Sequence, residues 1–199
     1  MTASSGVGFS YAPEYPIRTE RLLLRPITPA DAVAMHAYKS DPDVVRYVPY
    51  DPLDLADVER RIATTWANSR FAAEGDAICL AVEEQESGTL IGDVVLFWRS
   101  ETDRSGEVGY IFDPRFSGRG FATEAVEALL AIGFDGLGLH RIAARIDERN
   151  TASIRVVERI GFRREARLVE SEWFKQEWTT MLIHGLLAAE WRDRAAIEG

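Results

Sequence analysis

The sequence holds a single cysteine, Cys79, so a disulfide framework is excluded. Its three histidines, His36, His140 and His184, are scattered. None has metal-ligand spacing such as H-E-x-x-H, and no metal site is expected. No apolar run approaches the ~20 residues of a membrane span, so no membrane contact is expected. Met1 to Tyr11 carries neither the basic nor the apolar stretch of a secretory signal, and a cytoplasmic location is expected. Basic charge is in deficit. Lys and Arg number 23 against 32 Asp and Glu, a net charge of −9, which argues against nucleic acid as the main partner. The same charge suits a cationic partner such as an amine. No internal repeat, linker or Ser-His-Asp arrangement is legible.

What is present reads as globular. The chain has 199 residues, 46% hydrophobic and 28% charged, enough for one domain with a real core. Residues 1–16 lack periodicity and read as a flexible N-terminal arm; residues 17–199 read as a single domain. Thr19 to Pro26 is a strand with charged ends. Pro29 and Asp31 mark a helix start. Asp41-Pro42-Asp43 opens a short helical piece through Tyr47. Asp54 caps a helix whose face carries Leu55, Val58, Ile62 and Trp66. Asp76 to Val82 and Thr89 to Trp98 form a hairpin around Ser87-Gly88, and Glu107 to Phe112 follows as a third strand. Cys79 lies in the first of these and reads as a core residue.

A glycine-bearing stretch organises the rest: Phe112-Asp113-Pro114-Arg115-Phe116-Ser117-Gly118-Arg119-Gly120-Phe121-Ala122-Thr123-Glu124-Ala125. A strand leads in and a helical pattern from about Gly120 to Leu137 leads out. Glycines at a helix start bare N–H groups at the positive end of the helix dipole, which suits phosphate. A P-loop is excluded, since Phe121-Ala122 stand where Lys-Ser/Thr belongs. A dinucleotide loop is open, although Thr123 replaces the third glycine and the leading strand lacks the apolar run of a buried parallel strand. An ordinary Gly-rich turn is the plainest reading. Beyond it, Ile142, Ala144 and Ile146 alternate with Arg141, Ala143 and Arg145, a strand with one buried face. Strand, helix, strand makes a right-handed parallel crossover, so the sheet is mixed α/β: antiparallel first, parallel in its middle. Asn150 or Thr151 then caps a short helix with Ile154, Val157 and Ile160 inside, ended by Gly161. Arg163 to Glu170 and Trp178 to Leu187 read as two last strands.

Arg115-x-x-Gly118-x-Gly120 resembles the Gln/Arg-x-x-Gly-x-Gly/Ala signature of the GNAT superfamily of N-acetyltransferases. Phe121-Ala122-Thr123-Glu124-Ala125, the opening Thr-Glu-Arg-Leu-Leu-Leu-Arg-Pro strand and Asn150-x-x-Ser153 ending in Gly161-Phe162 resemble its branch related to ribosomal-protein alanine acetyltransferases (RimJ/RimL-like). So does Leu186 to Trp191, as a terminal strand. The likeness covers about residues 17–191. It implies a GNAT fold, whose central mixed and mostly antiparallel sheet has a V-shaped splay and helices on both faces. It also implies acetyl-CoA as cosubstrate and a primary amine as acceptor, a protein N-terminus or a small molecule.

By the same resemblance, pantetheine fills the splay and pairs with backbone of Tyr110, Ile111 and Phe112, with Gly109 placed to help a bulge. Pyrophosphate meets the N–H groups from Gly118 through Arg119, Gly120, Phe121 and Ala122 to Thr123, with Arg115 nearby. Asn150 contacts pantetheine, and Arg155 is placed for the 3′-phosphate. The general base is Glu107, with Glu101, Asp93 and Glu170 as rivals. Many relatives use a tyrosine as acid at the position of Val157, which cannot donate, so the task falls to Ser153. The competing readings are a nicotinamide-dependent oxidoreductase using Gly118-x-Gly120 and a non-catalytic acyl-CoA sensor. Relatives are often homodimers, and the aromatic stretch around Trp173 is a candidate surface.

Overall fold

A computed structural model describes residues 9–198, the last four by backbone alone. Eight strands form one sheet in the order β1-β2-β3-β4-β5-β6-β8-β7. They are β1 (Ile17–Arg18), β2 (Leu22–Pro26), β3 (Ala77–Glu84), β4 (Thr89–Ser100), β5 (Ser105–Phe112), β6 (Arg141–Asp147), β7 (Arg163–Phe174) and β8 (Glu177–Leu187). All neighbours are antiparallel except β5 and β6. The helices are α1 (Ala32–Lys39), α2 (Leu55–Arg61), α3 (Phe121–Ala131), α4 (Thr151–Ile160) and α5 (Ala188–Glu198). Wider π-helical turns prolong α2 through Trp66 and α3 through Gly136.

Strand alternation sends successive residues to opposite faces, and each face has its own core. Ile78, Leu80 and Val82 of β3 pack with α3 and α4 through Ala125, Val126, Leu129, Val157 and Ile160. Ala81 and Cys79 face the other way, toward Met35, Tyr38, Val58 and Ile62 of the α1/α2 region. Helices therefore cover both faces, as expected. Val157 is fully buried in the first core. Its place is explained by packing.

Several sequence expectations are corrected. Residues 41–47 form successive turns rather than a helix: the Val45 N–H reaches the Asp41 carbonyl at 3.1 Å, but the next bond is the tighter one from the Val48 N–H to the Val45 carbonyl at 3.1 Å, so the single helical turn is not propagated. Leu55 is exposed, while Val58 and Ile62 of the same face are buried. Leu186 to Trp191 is not a strand throughout: β8 ends at Leu187, and Ala188 opens α5 with its N–H on the His140 carbonyl at 2.9 Å. Trp173, Phe174 and Lys175 do not form a loop between two strands. They lie in and next to a two-residue hairpin turn with φ of 48° at Lys175 and 65° at Gln176. That turn lacks the Asn-Gly signature of its type. Its tip is instead tied down by Lys175 Nζ, which donates to the Val45 carbonyl at 2.7 Å.

Residues 9–16, the described part of the expected arm, are tied to the body. Tyr11 and Phe71 exchange backbone bonds of 2.8 and 2.7 Å, and Tyr15 Oη donates to the Ser69 carbonyl at 2.8 Å. Residues 1–8 lie outside the described residues.

Candidate active site

β5 and β6 pair only at Ser105↔Arg141, Gly106↔Ile142 and Glu107↔Ala143. Both strands continue, β5 to Phe112 and β6 to Asp147, but no longer with each other. Each keeps its outer neighbour: β5 stays on β4 to Phe112↔Gly92, and β6 stays on β8 to Asp147↔Met181. The sheet is thus open along one seam. The Asp113 N–H donates to the Ile91 carbonyl at 2.9 Å, which sets the phase of the β4–β5 ladder. Hydrogen-bonded pairs alternate in such a ladder. Odd-numbered residues therefore bond to β4, and the backbone groups of Val108, Tyr110 and Phe112 turn to the open seam. Ile111, expected among the seam contacts, bonds toward β4 and buries its side chain on the α1/α2 face. Gly109 forms no bulge; the β4–β5 register shift lies at Trp98/Ser100. A Cβ at Gly109 would stand 3.0 Å from Val95 Cγ1, so close packing explains this glycine.

The seam ends at the glycine loop. Asp113 accepts from the Arg115 N–H and opens a short 3-10 turn, Pro114–Phe116. Gly118 and Gly120 have φ of 77° and 83°, the left-handed region that glycine enters without a Cβ clash. Gly120 is the N-cap of α3. None of the N–H groups of residues 118–123 finds an acceptor among the described residues; the first helical bond is from Glu124 to the Gly120 carbonyl at 3.2 Å. The loop therefore presents consecutive free donors at the positive end of a helix dipole, a ready anion cradle.

Charge pairs brace the cradle. Glu124 accepts from Thr19 Oγ1 at 2.5 Å, from the Arg21 N–H at 2.8 Å and from Arg21 Nε at 2.8 Å. These bonds outweigh burial and hold the Glu124 carboxyl below its usual range. Arg21 also donates to the Arg119 carbonyl at 2.9 Å. The Arg119 side chain bonds Glu84 of β3 at 2.5 Å, and that of Arg115 folds onto Asp113 at 2.5 Å. Both arginines reach the loop, but each is already partnered by a carboxylate. The bracing was absent from the sequence reading, although Thr19, Arg21 and Glu124 all lie inside its motifs.

Across the seam stands the first turn of α4. Asn150 caps it, its Oδ1 accepting from the Ser153 N–H at 3.1 Å. Tyr110 Oη donates to the Ser153 carbonyl at 3.0 Å. Burial pushes the Tyr110 hydroxyl up to about 12. Tyr110 thus joins Ser153 and Asn150 in one group. Glu107 stands apart, with its side chain on the opposite face of β5 and paired to Arg99 Nε at 3.1 Å. Arg155 is exposed on α4 and makes no ion pair among the described residues. Of the rival bases, Asp93 is committed elsewhere: it accepts from Tyr38 Oη and pairs with Lys39 Nζ, both at 2.6 Å. Burial pushes the Cys79 thiol up to about 12, with Asp93 adding to the rise, so the cysteine is inert as a nucleophile. No group of ligating side chains that could hold a metal occurs among the described residues. No described helix is long and apolar enough to cross a membrane.

The comparisons with known proteins agree with this geometry. Residues 21–163 match the acetyltransferase (GNAT) domain family. The uncharacterized N-acetyltransferase YnaD of Bacillus subtilis is 30% identical over 175 residues, 88% of this chain and 98% of the relative. The spermidine N(1)-acetyltransferase of Escherichia coli is 27% identical over 150 residues, 73% of this chain and 75% of that one. The crystal structure of a GNAT-family acetyltransferase from Bacillus anthracis superimposes with a TM-score of 0.77 at 32% identity, covering 87% of this chain and 99% of the other. An open seam, an anion cradle at its mouth and these relatives lead to one conclusion: the chain belongs to the GNAT family and is an N-acetyltransferase.

Proposed function

We propose that the protein transfers an acetyl group from acetyl-CoA to a primary amine by direct attack within a ternary complex. One observation carries this reading: β5 and β6 part after Glu107 and Ala143 while both run on toward the glycine loop. Pantetheine fits such a seam as an added strand, bonded to the freed edge at Tyr110 and Phe112. Ile111 supports that edge from behind. Pyrophosphate fits the donors from Gly118 to Thr123. Arg155, exposed and unpaired among the described residues, is available to the 3′-phosphate. Asn150 serves as cap and borders the same channel.

The chemistry then divides between the two faces of β5. The amine lone pair attacks the thioester carbon, a C–N bond forms, and the C–S bond breaks as the tetrahedral intermediate collapses. Glu107, on the α1/α2 face, takes the amine proton through a water. Ser153, at the α4 end, gives its hydroxyl proton to the leaving thiolate and regains one from solvent, to which Glu107 releases the proton it took. The products are an amide and free CoA. Edge N–H groups of β5 stabilise the oxyanion.

The acceptor is a protein N-terminus or a small amine. The Thr19–Pro26 and Asn150–Phe162 motifs favour the RimJ/RimL-like branch and hence a protein N-terminus; the spermidine relative favours a polyamine. A cytoplasmic location goes with either.

Thermal unfolding with acetyl-CoA, CoA and NAD added separately tests the cosubstrate. A ligand at 100 times its Kd stabilises by about 2.7 kcal/mol. In a chain of this size that is roughly 5–11 °C. A shift with both CoA forms and none with NAD is expected. A shift with NAD alone would overturn the reading and restore the oxidoreductase. Binding of CoA without thiol release across an amine panel would restore the acyl-CoA sensor.

A further inference from the structure

The Tyr110 hydroxyl has no part in the chemistry above, yet it crosses the seam. Tyr110 sits on β5, one wall; Ser153 sits on α4, which follows directly from β6, the other wall. Between Glu107↔Ala143 and the glycine loop no backbone pairing joins these walls. The bond from Tyr110 Oη to the Ser153 carbonyl, 3.0 Å, ties them side chain to backbone. Ser153 is then held on both sides of its Cα, in the peptide unit before it and the one after. Its N–H is fixed by Asn150 Oδ1 at 3.1 Å, and its carbonyl is fixed by Tyr110. A first-turn residue is usually the part of a helix most free to fray. Here both backbone handles are taken, and the side chain left over is a hydroxyl.

We propose that Tyr110 is a positioning residue: with Asn150 it clamps the first turn of α4 to β5 and so fixes where the Ser153 hydroxyl stands relative to the thioester sulfur. This rests on the acetyl-transfer reading, in which Ser153 protonates the leaving thiolate. The tyrosine suits the task because it stays a donor throughout the neutral range: burial raises its hydroxyl to about 12. A phenylalanine keeps the ring and its packing against the α3/α4 core and removes only the clamp.

The experiment compares wild type, Tyr110→Phe, Ser153→Ala and the double variant in the full chain. With a transferable amine in hand, Tyr110→Phe should lower kcat about 10-fold, as a misplaced catalytic group does, and leave the KM for acetyl-CoA within about 2-fold. In the Ser153→Ala background the same change should cost less than about 2-fold, because the group it positions is gone. An equal loss in both backgrounds, or a change confined to KM, would overturn the proposal. Amide hydrogen exchange reads the clamp without turnover. Tyr110→Phe should speed exchange of the Ser153 N–H about 5-fold, the worth of one net hydrogen bond, and leave β4 and β5 unchanged. Unchanged exchange at Ser153 would also overturn it. If wild-type protein binds CoA and acetylates no amine, the transfer reading falls, and the exchange result still decides the clamp.

Discussion

On the α1/α2 face the sheet buries a charge; on the α3/α4 face it buries a group that could carry one and keeps it neutral. Lys39 is 1% exposed, yet its ammonium lies 2.6 Å from Asp93, 3.2 Å from Tyr50 Oη and 4.5 Å from the centre of the Trp66 ring. Burial pulls the Lys39 ammonium down and Asp93 pushes it up; the pairing wins, and it stays above its usual value. His184 is equally buried, between β6 and β7, and neither ring nitrogen has a hydrogen-bond partner among the described residues. Its nearest carboxylate, Glu158, is 3.9 Å away, so desolvation holds the imidazole below its usual value. The lesson is one of distance. A carboxylate in hydrogen-bond contact offsets burial of a cation, and one a little over an ångström farther does not.

The largest effect should come from removing the carboxylate that makes the difference. Asp93→Leu leaves Lys39 buried without its counter-ion and Tyr38 Oη without its acceptor. A cost of about 3–5 kcal/mol is expected. Lys39→Met added to Asp93→Leu should return much of it. Urea unfolding of the two variants checks both. A loss under about 1 kcal/mol for Asp93→Leu would break the comparison.

A smaller effect is expected at the mouth of the seam. Gly120→Ala places a Cβ at φ 83°, where an L-residue costs about 1–2 kcal/mol. The new atom would also stand 3.4 Å from Arg21 Nη2. Stability should fall by about that amount, and CoA should bind more weakly because the cradle donors turn with the backbone. Calorimetric titration with CoA separates the two. Asp93→Leu, on the other face, should leave CoA affinity unchanged wherever the variant is folded.

The glycine loop and the helix after it were more legible than the rest, and the reason is physical. A cradle of backbone N–H groups needs glycines at fixed spacing, which leave a local signature: Gly118, Gly120 and the helix after them are where the sequence puts them. The strand order around the crossover follows from the same local pattern. Side-chain bridges between distant segments leave none. Tyr110 to Ser153, Arg119 to Glu84 and Tyr38 to Asp93 join residues 35 or more positions apart, and no periodicity predicts a partner. The hairpin turn at Lys175-Gln176 was missed for a related cause: its left-handed residues are held by a contact with Val45 rather than by a residue type that favours the turn.

Protonation tests the neutral half of the comparison. The unfolded His184 titrates near its usual value, about 6.5. The folded one titrates lower. As pH falls below that value the unfolded chain takes up a proton the folded chain refuses. Stability present above about pH 6.5 is therefore lost as pH falls toward the folded pKa, by up to about 1.4 kcal/mol per pH unit. Arg164 works in the same direction, while Glu158 and Glu165 oppose it. Unfolding free energies of wild type and His184→Leu between pH 7.5 and 5 give the difference. The variant should show the flatter profile. Parallel profiles would mean that His184 titrates in the folded protein as it does in the unfolded chain, its burial fully offset.

The smallest effect should be at an ion pair with good geometry and little burial. Arg167 of β7 meets both oxygens of Glu148, at 2.8 and 3.0 Å, a better fork than Lys39 makes with Asp93. Its side chains are 50% and 35% exposed. Water solvates both charges in the unfolded chain and still reaches both in the folded one, so the pair gains little over its separated members. Arg167→Ala should leave stability nearly unchanged, and 0.5 M salt, which screens such pairs, should shrink the difference further. The two removals differ in burial and hardly at all in contact distance. A loss at Arg167 comparable to that at Asp93 would therefore assign the stabilisation to pairing itself, whereas the expected gap assigns it to the exclusion of water around Lys39.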